Sequence, residues 1–146
     1  MSRFPDYLKA LEFANAGGPV DKAIVIRDSN AKDPAKVEEA MRAKIAAKRY
    51  RFPHGVRLHA VKRATETWLL ADAATIGRVA GGRSVVRTPD PLEEIQDPKG
   101  RLQQVLSGAG LLYTSEVCAE IARQLDLELL RTTCPNFRVF EQKMRE

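Results

Sequence analysis

Apolar residues recur along this chain in two rhythms, and each predicts its own kind of element. Residues 6–15 place Tyr7, Leu8 and Leu11, with neighbouring Phe4, on one stripe, which is the spacing of an amphipathic helix. Asn15-Ala-Gly-Gly-Pro19 stops it, since Gly and Pro break the helical period. Ala23-Ile-Val-Ile26 then runs without alternation, which predicts a strand over Lys22–Arg27 buried on both faces, as in a parallel sheet. The chain turns polar at once through Arg27, Asp28, Ser29 and Asn30. Asp33 is a good N-cap and Pro34 a good first helical residue, and Val37, Met41 and Ile45 continue an amphipathic helix to about Ala47. From Val56 to Val61 the pattern alternates. Val56, Leu58 and Ala60 face one way and Arg57, His59 and Val61 the other, as in a strand with one better-buried face. Strand, helix and strand make a βαβ unit, expected to be right-handed.

The second half reads as nearly all helix. One helix is expected from about Thr65 to Val79, closed by Gly81-Gly82, with a short edge strand at Ser84–Val86. Residues 87–97 look like loop. Asp97-Pro98 repeats the cap-then-proline signal, and Leu102, Val105 and Leu106 face inward before Gly108-Ala-Gly110. Thr114 or Ser115 caps a helix with Val117, Cys118, Ile121 and Leu125 inward. Cys134-Pro135 opens the last, with Phe137, Phe140 and Met144 inward. No repeat, low-complexity tract or linker divides the chain, so residues 1–146 read as one α/β domain: a small, mainly parallel sheet of two to four strands flanked by helices.

Composition narrows the class. Hydrophobic residues at 44% and charged residues at 29% suit a folded domain and argue against disorder. No apolar run approaches the ~20 residues that span a bilayer, and Asp6 and Glu12 interrupt the opening segment where a signal peptide would be apolar. Cys118 and Cys134 are too few for a disulfide framework or a four-thiolate zinc site, which points to a reducing cytoplasm. The net charge of +5 is unevenly spread: residues 1–63 hold 14 basic against 7 acidic residues, and residues 64–146 hold 10 against 12. A dense basic run includes Arg42, Lys44, Lys48, Arg49 and Arg51, with Tyr50 and Phe52 between. It reads either as a solvated helix face or as a track for a phosphate backbone, with Arg42, Lys48, Arg49 and Arg51 as the contacts.

Few residues carry candidate chemistry. Asp28 stands where open α/β sheets gather ligands, beyond the carboxyl end of a strand, and a carboxylate there binds Mg²⁺ or simply turns the chain. Asp33 reads as a helix cap. Glu66 shares the inward face of its helix with Leu69, Leu70 and Ala73, an unusual place for an acid. It is either functional or a favourable charge at a helix N-terminus, paired with Arg57 or Arg63. Trp68 and Asp72 share another face and suggest an interaction surface. Cys134 at a helix N-terminus invites a thiolate, though no histidine is near in sequence and a structural thiol is the plainer reading. His54 and His59 do not make a zinc site, and no Walker loop, G-x-G-x-x-G or G-x-S-x-G is present.

Glu66-Thr-Trp-Leu-Leu-Ala-Asp72, Asp97-Pro98-Lys99, Tyr113-Thr114 and Cys134-Pro135-Asn136-Phe137 together resemble an uncharacterised bacterial family grouped with the Toprim-like (topoisomerase–primase) fold. Some members are similar to the nuclease partners of AAA-type ATPases in phage-defence operons. The resemblance runs from about residue 5 to the end. It implies a metal-dependent nuclease-related domain with Mg²⁺ or Mn²⁺ as cofactor. By resemblance, Asp28-Ser29-Asn30 takes the D-x-D position and Glu66 matches the glutamate of its motif. Asp28 and Glu66 would then be catalytic, and Asp28, Asn30 and Glu66 would hold the metal. Two departures stand out: Asn30 is neutral where the pattern has an acid, and the family's opening strand with its E-G turn is missing, as in an N-terminally truncated fold. The alternative is a catalytically inactive protein- or nucleic-acid-binding module. A lost strand would also leave a sheet edge open, which invites a homodimer.

Overall fold

The computed structural model describes residues 3–14 and 18–146; the expected helix stop at 15–17 lies outside them. Among the described residues the architecture is mixed α/β, with eight α-helices around a sheet of two parallel strands. Helix α1 (Phe4–Glu12) leads to β1 (Ala23–Asp28), and α2 (Pro34–Ile45) returns the chain to β2 (Val56–Val61). The Asp33 carboxylate accepts the Ala35 amide at 2.9 Å, so α2 starts where its cap signal placed it. Ala23 lies opposite Val56 and Asp28 opposite Val61, so both strands end at the same edge.

The two faces of the sheet are covered unequally. Val37 and Met41 of α2 pack on Leu58 and Ala60, with Val25 beside them. On the other face, the last helix, α8 (Pro135–Arg145), lies over β2. The expectation that β1 is buried on both faces therefore fails: Ile26 stays 45% exposed. The apolar run reflects one buried face plus an incompletely covered one. Tyr7, 71% exposed, likewise leaves the expected α1 stripe, and Leu8 alone of that stripe is fully buried.

The remaining helices build a second, larger core from Leu70, Ile76, Leu92, Leu102, Leu106, Ile121, Leu130 and Phe137. They are α3 (Glu66–Leu70), α4 (Ala73–Val79), α5 (Pro98–Gly108), α6 (Ser115–Gln124), α7 (Leu127–Thr133) and α8. The single helix expected over 65–79 is split, because Asp72 ends one helix and caps the next. Its carboxylate accepts the Thr75 amide at 2.9 Å, the Thr75 hydroxyl at 2.7 Å and the Asp126 amide at 3.0 Å. Asp72 is thus interior, 3% exposed, and Trp68 packs against the core, so the two do not form a surface. Asp126 in turn caps α7, a helix the sequence pattern did not separate. Met144, expected inward, is 46% exposed.

The outer edge of β2 is sealed by side chains rather than by a strand. Its outward groups belong to Leu58, Ala60 and Lys62. Asn136 acts as a neighbouring peptide would: its Nδ2 donates to the Ala60 carbonyl at 3.2 Å and its Oδ1 accepts the Lys62 amide at 3.0 Å. Glu38 accepts the Ala60 amide at 3.0 Å, and Lys143 donates to the Leu58 carbonyl at 2.9 Å and to Glu38 at 2.6 Å. Ser84–Val86 consequently finds no edge to join. It is irregular, and Val86 is 88% exposed, which corrects the expected third strand. One edge of the sheet is thereby closed to strand addition, and β1 is the other.

His59 sits inside this seal, 1% exposed, with Nε2 3.1 Å from Asn136 Oδ1. Oδ1 can only accept, so Nε2 carries the proton, and Nδ1 lies 3.7 Å from Glu38. Burial, and then the Lys143 ammonium, hold His59 below the usual imidazole range, against the opposing pull of Asn136 and Glu38. The folded chain therefore resists a proton that the unfolded chain accepts. Stability is full above the ordinary imidazole value and falls as pH drops from there towards the lowered folded value. Urea midpoints from pH 7.5 to 5.5 are expected to decline in the native chain and to flatten in His59→Gln; equal slopes would refute this assignment.

Candidate functional site

The loops leaving the two strands are stitched together. The Ser29 amide donates to the Val61 carbonyl at 2.9 Å and the Asn30 amide to the Arg63 carbonyl at 2.7 Å, which continues the ladder past the strand ends. The Arg63 amide donates to Ser29 Oγ at 3.0 Å, and the Thr65 amide to Asp28 Oδ1 at 3.0 Å. Asn30 and Arg63 both hold positive φ, 54° and 67°. Asparagine tolerates that region, whereas arginine is strained in it. Each turn is thus bent to return against the other.

This stitching ties the Asp28 loop to the start of the helix that carries Glu66. Thr65 is bonded to Asp28, and the next residue is Glu66, the first of α3. Burial pushes the Asp28 carboxyl above its usual range, the Thr65 amide pulls it back, and the Glu66 charge pushes it up again. Glu66 is half-buried and does not pair with Arg57 or Arg63. Its Oε1 accepts the Tyr113 hydroxyl instead. That bond, with burial second, holds the phenol far above its ordinary range, so Tyr113 keeps the proton it donates to Glu66. The Lys99 ammonium rests 5.4 Å over the Tyr113 ring, a cation–π contact at the site's rim. In the sequence Tyr113 stands out only as part of a motif. Its partner lies 47 residues away, a distance that no local pattern reports.

Each carboxylate has one oxygen fixed by a donor; Asp28 Oδ2 and Glu66 Oε2 have no partner among the described residues. Carboxylate oxygens are the ligand type a hard divalent cation takes, with several waters kept. Among the described residues no three His, Cys, Asp or Glu side chains converge on a metal position. Asn30, exposed in the same loop, is the neighbouring oxygen donor.

A cleft of about 650 Å³ opens beside Asp28, lined on its polar side by Arg27, Asn30, Lys32 and Lys36 and on its floor by Val37 and Ala40. The basic run lies elsewhere. Lys48, Arg49 and Arg51 precede β2, at the amino end of the sheet, and dock on α1: Lys48 meets Asp6 at 3.5 Å, Lys9 bonds the Arg49 carbonyl, and the Arg51 amide bonds Glu12. The interleaved aromatics serve packing, with Phe52 buried and Tyr50 stacked on it at 6.2 Å. Arg42 lines a shallow pocket with Glu38, Lys143 and Glu146. Cys134 is fully buried, and burial raises its thiol to about 11, so the helix N-terminus does not make it a thiolate.

Among the described residues no helix is long and apolar enough to cross a membrane. No curated protein and no solved structure matches the chain. A family does: residues 3–145, the whole of both cores and both loops of the site, match the family described as Domain of unknown function (DUF4276), and the chain belongs to it.

Proposed function

We propose that this chain is a Toprim-like, divalent-metal-dependent domain that cleaves phosphodiester bonds in nucleic acid. The observation that supports this reading is the bond from the Thr65 amide to Asp28, one residue before Glu66, at the carboxyl edge of the parallel sheet, where each acid has one oxygen anchored and one without a partner among the described residues. Asp28 and Glu66, with Asn30 beside them, would hold Mg²⁺ or Mn²⁺, whose chemistry there is to activate water and stabilise the leaving oxygen. The chain's own contribution is orientation. Thr65 fixes Asp28, and Tyr113 fixes Glu66 while keeping its own proton. In the setting the resemblance implies, an AAA-type ATPase is the partner.

A second reading, a catalytically inactive nucleic-acid-binding module, is favoured by one observation: no third acid joins the pair among the described residues. A Mn²⁺ titration followed by NMR separates the two. Paramagnetic broadening centred on Asp28, Thr65 and Glu66 is expected by millimolar metal, with hydrolysis of single- or double-stranded substrate. Unbroadened signals and intact substrate would overturn the hydrolase reading. Tyr113→Phe removes only the outer hydroxyl. It is expected to weaken Mn²⁺ binding about tenfold, the usual effect of losing a second-layer partner, with little change in unfolding. Unchanged metal affinity would show that Glu66 is oriented without it.

A further inference from the structure

The basic run and the acid pair lie at opposite ends of the sheet. β1 spans six residues, roughly 20 Å at 3.3 Å per residue, and Lys48, Arg49 and Arg51 precede β2 at the end away from Asp28. The contacts that place a scissile phosphate must come from nearer cations. Arg27, Lys32 and Lys36 qualify. All three are exposed, line the cleft beside Asp28, and have no carboxylate partner among the described residues. Lys62, Lys143 and Arg131, by contrast, are paired, with Glu94 at 2.6 Å, Glu38 at 2.6 Å and Glu141 at 2.5 Å. Two carboxylates share the lining with Arg27, Lys32 and Lys36, Asp33 with Oδ1 on the Ala35 amide and Asp28 with Oδ1 on the Thr65 amide, so the cleft keeps a net positive charge. No aromatic side chain lines it, so it offers no platform for stacking bases. Its floor of Val37 and Ala40 is apolar and uncharged.

We propose that this cleft holds the sugar–phosphate backbone of a nucleic-acid strand, through Arg27, Lys32 and Lys36 and without reading its bases. The proposal rests on the nucleic-acid part of the function above but needs neither metal nor cleavage. Its test is therefore run in EDTA, with a short fluorescent oligothymidylate bound to the full chain by anisotropy. Three phosphate contacts predict that log K falls with log salt at a slope near about −2. The double substitution Lys32→Gln and Lys36→Gln is expected to weaken binding about tenfold or more and to flatten the slope by about 1.4, with an unchanged circular-dichroism melt. A matched substitution at Arg49 and Arg51 leaves binding near native, and an oligoadenylate binds like the oligothymidylate. Salt-independent binding by the native chain overturns the proposal, as does equal loss from the Arg49 and Arg51 pair. Thymidine monophosphate binding as tightly as the oligonucleotide also overturns it, since the cleft would then be a small-molecule phosphate pocket. Loss of cleavage with this binding intact strikes only the hydrolase reading. Native-like binding by the double variant, beside a positive Mn²⁺ titration, strikes only the cleft.

Discussion

Asn136→Ala is expected to lower the unfolding free energy by about 3–4 kcal/mol, a large share of the ~5–15 kcal/mol that holds a domain folded. The single amide serves three partners: the Ala60 carbonyl, the Lys62 amide and His59 Nε2. Truncation strands all three, at roughly 1–3 kcal/mol for each buried group left unpaired, and water reaching the edge offsets part of it. Asn136→Asp keeps the acceptor for Lys62 and His59 but loses the donor to Ala60 and places a charge near Glu93, whose carboxylate accepts the backbone N–H of residue 136 at 2.7 Å. It should also destabilise. Urea unfolding of both variants measures this as a lower midpoint at unchanged slope. A loss under about 1 kcal/mol for the alanine variant would mean that water replaces the amide and the edge is not sealed as described.

Asp28→Asn is expected to act in two opposite directions, abolishing metal binding while raising stability at neutral pH. The new amide oxygen still accepts the Thr65 amide, whereas the cost of burying a carboxylate beside Glu66 disappears. The sign follows from the raised folded value. Asp28 contributes stability only while protonated, below its ordinary unfolded range, and that contribution is lost as pH rises through the folded value. The variant's thermal midpoint should therefore exceed the native one by a few degrees at pH 7 and converge with it near pH 3. Its Mn²⁺ affinity should fall by more than the roughly tenfold to hundredfold of an outer-layer loss. A variant less stable than native at pH 7 would show that the carboxylate supports the fold, and a fixed structural role would replace the functional one.

Local signals carried the first half of the fold. Asp33-Pro34 started α2 as expected because a cap needs only its own next residues. The split at Asp72 was hidden because its meaning depends on Asp126, 54 residues on, and the third strand failed because α8 fills the edge it needed. The motifs that carried the family resemblance turn out to meet. Trp68 stands edge-on to Phe137 at 5.2 Å, and Cys134 and Asn136 serve the core and the β2 edge. Much of that signature therefore encodes packing, while Glu66, Tyr113 and Lys99 are its members at the candidate site. Asp28 was legible from its place after a strand. Tyr113 was not, because a hydroxyl that orients a distant glutamate leaves no periodic trace. The place of the basic run was not legible, because charge density along a sequence does not say at which end of a sheet it will stand.

The seal on β2 also sets a timetable. Its plugs are Asn136 and Lys143, 76 and 85 residues downstream of the groups they satisfy. At roughly 5–20 residues per second, a growing chain waits on the order of 4–17 s between making the edge and closing it. During that interval the half-built sheet presents open backbone to every neighbouring chain. Shortening the protein from its carboxyl end would make the interval permanent, so such truncations should gather in aggregates rather than persist as smaller folded domains.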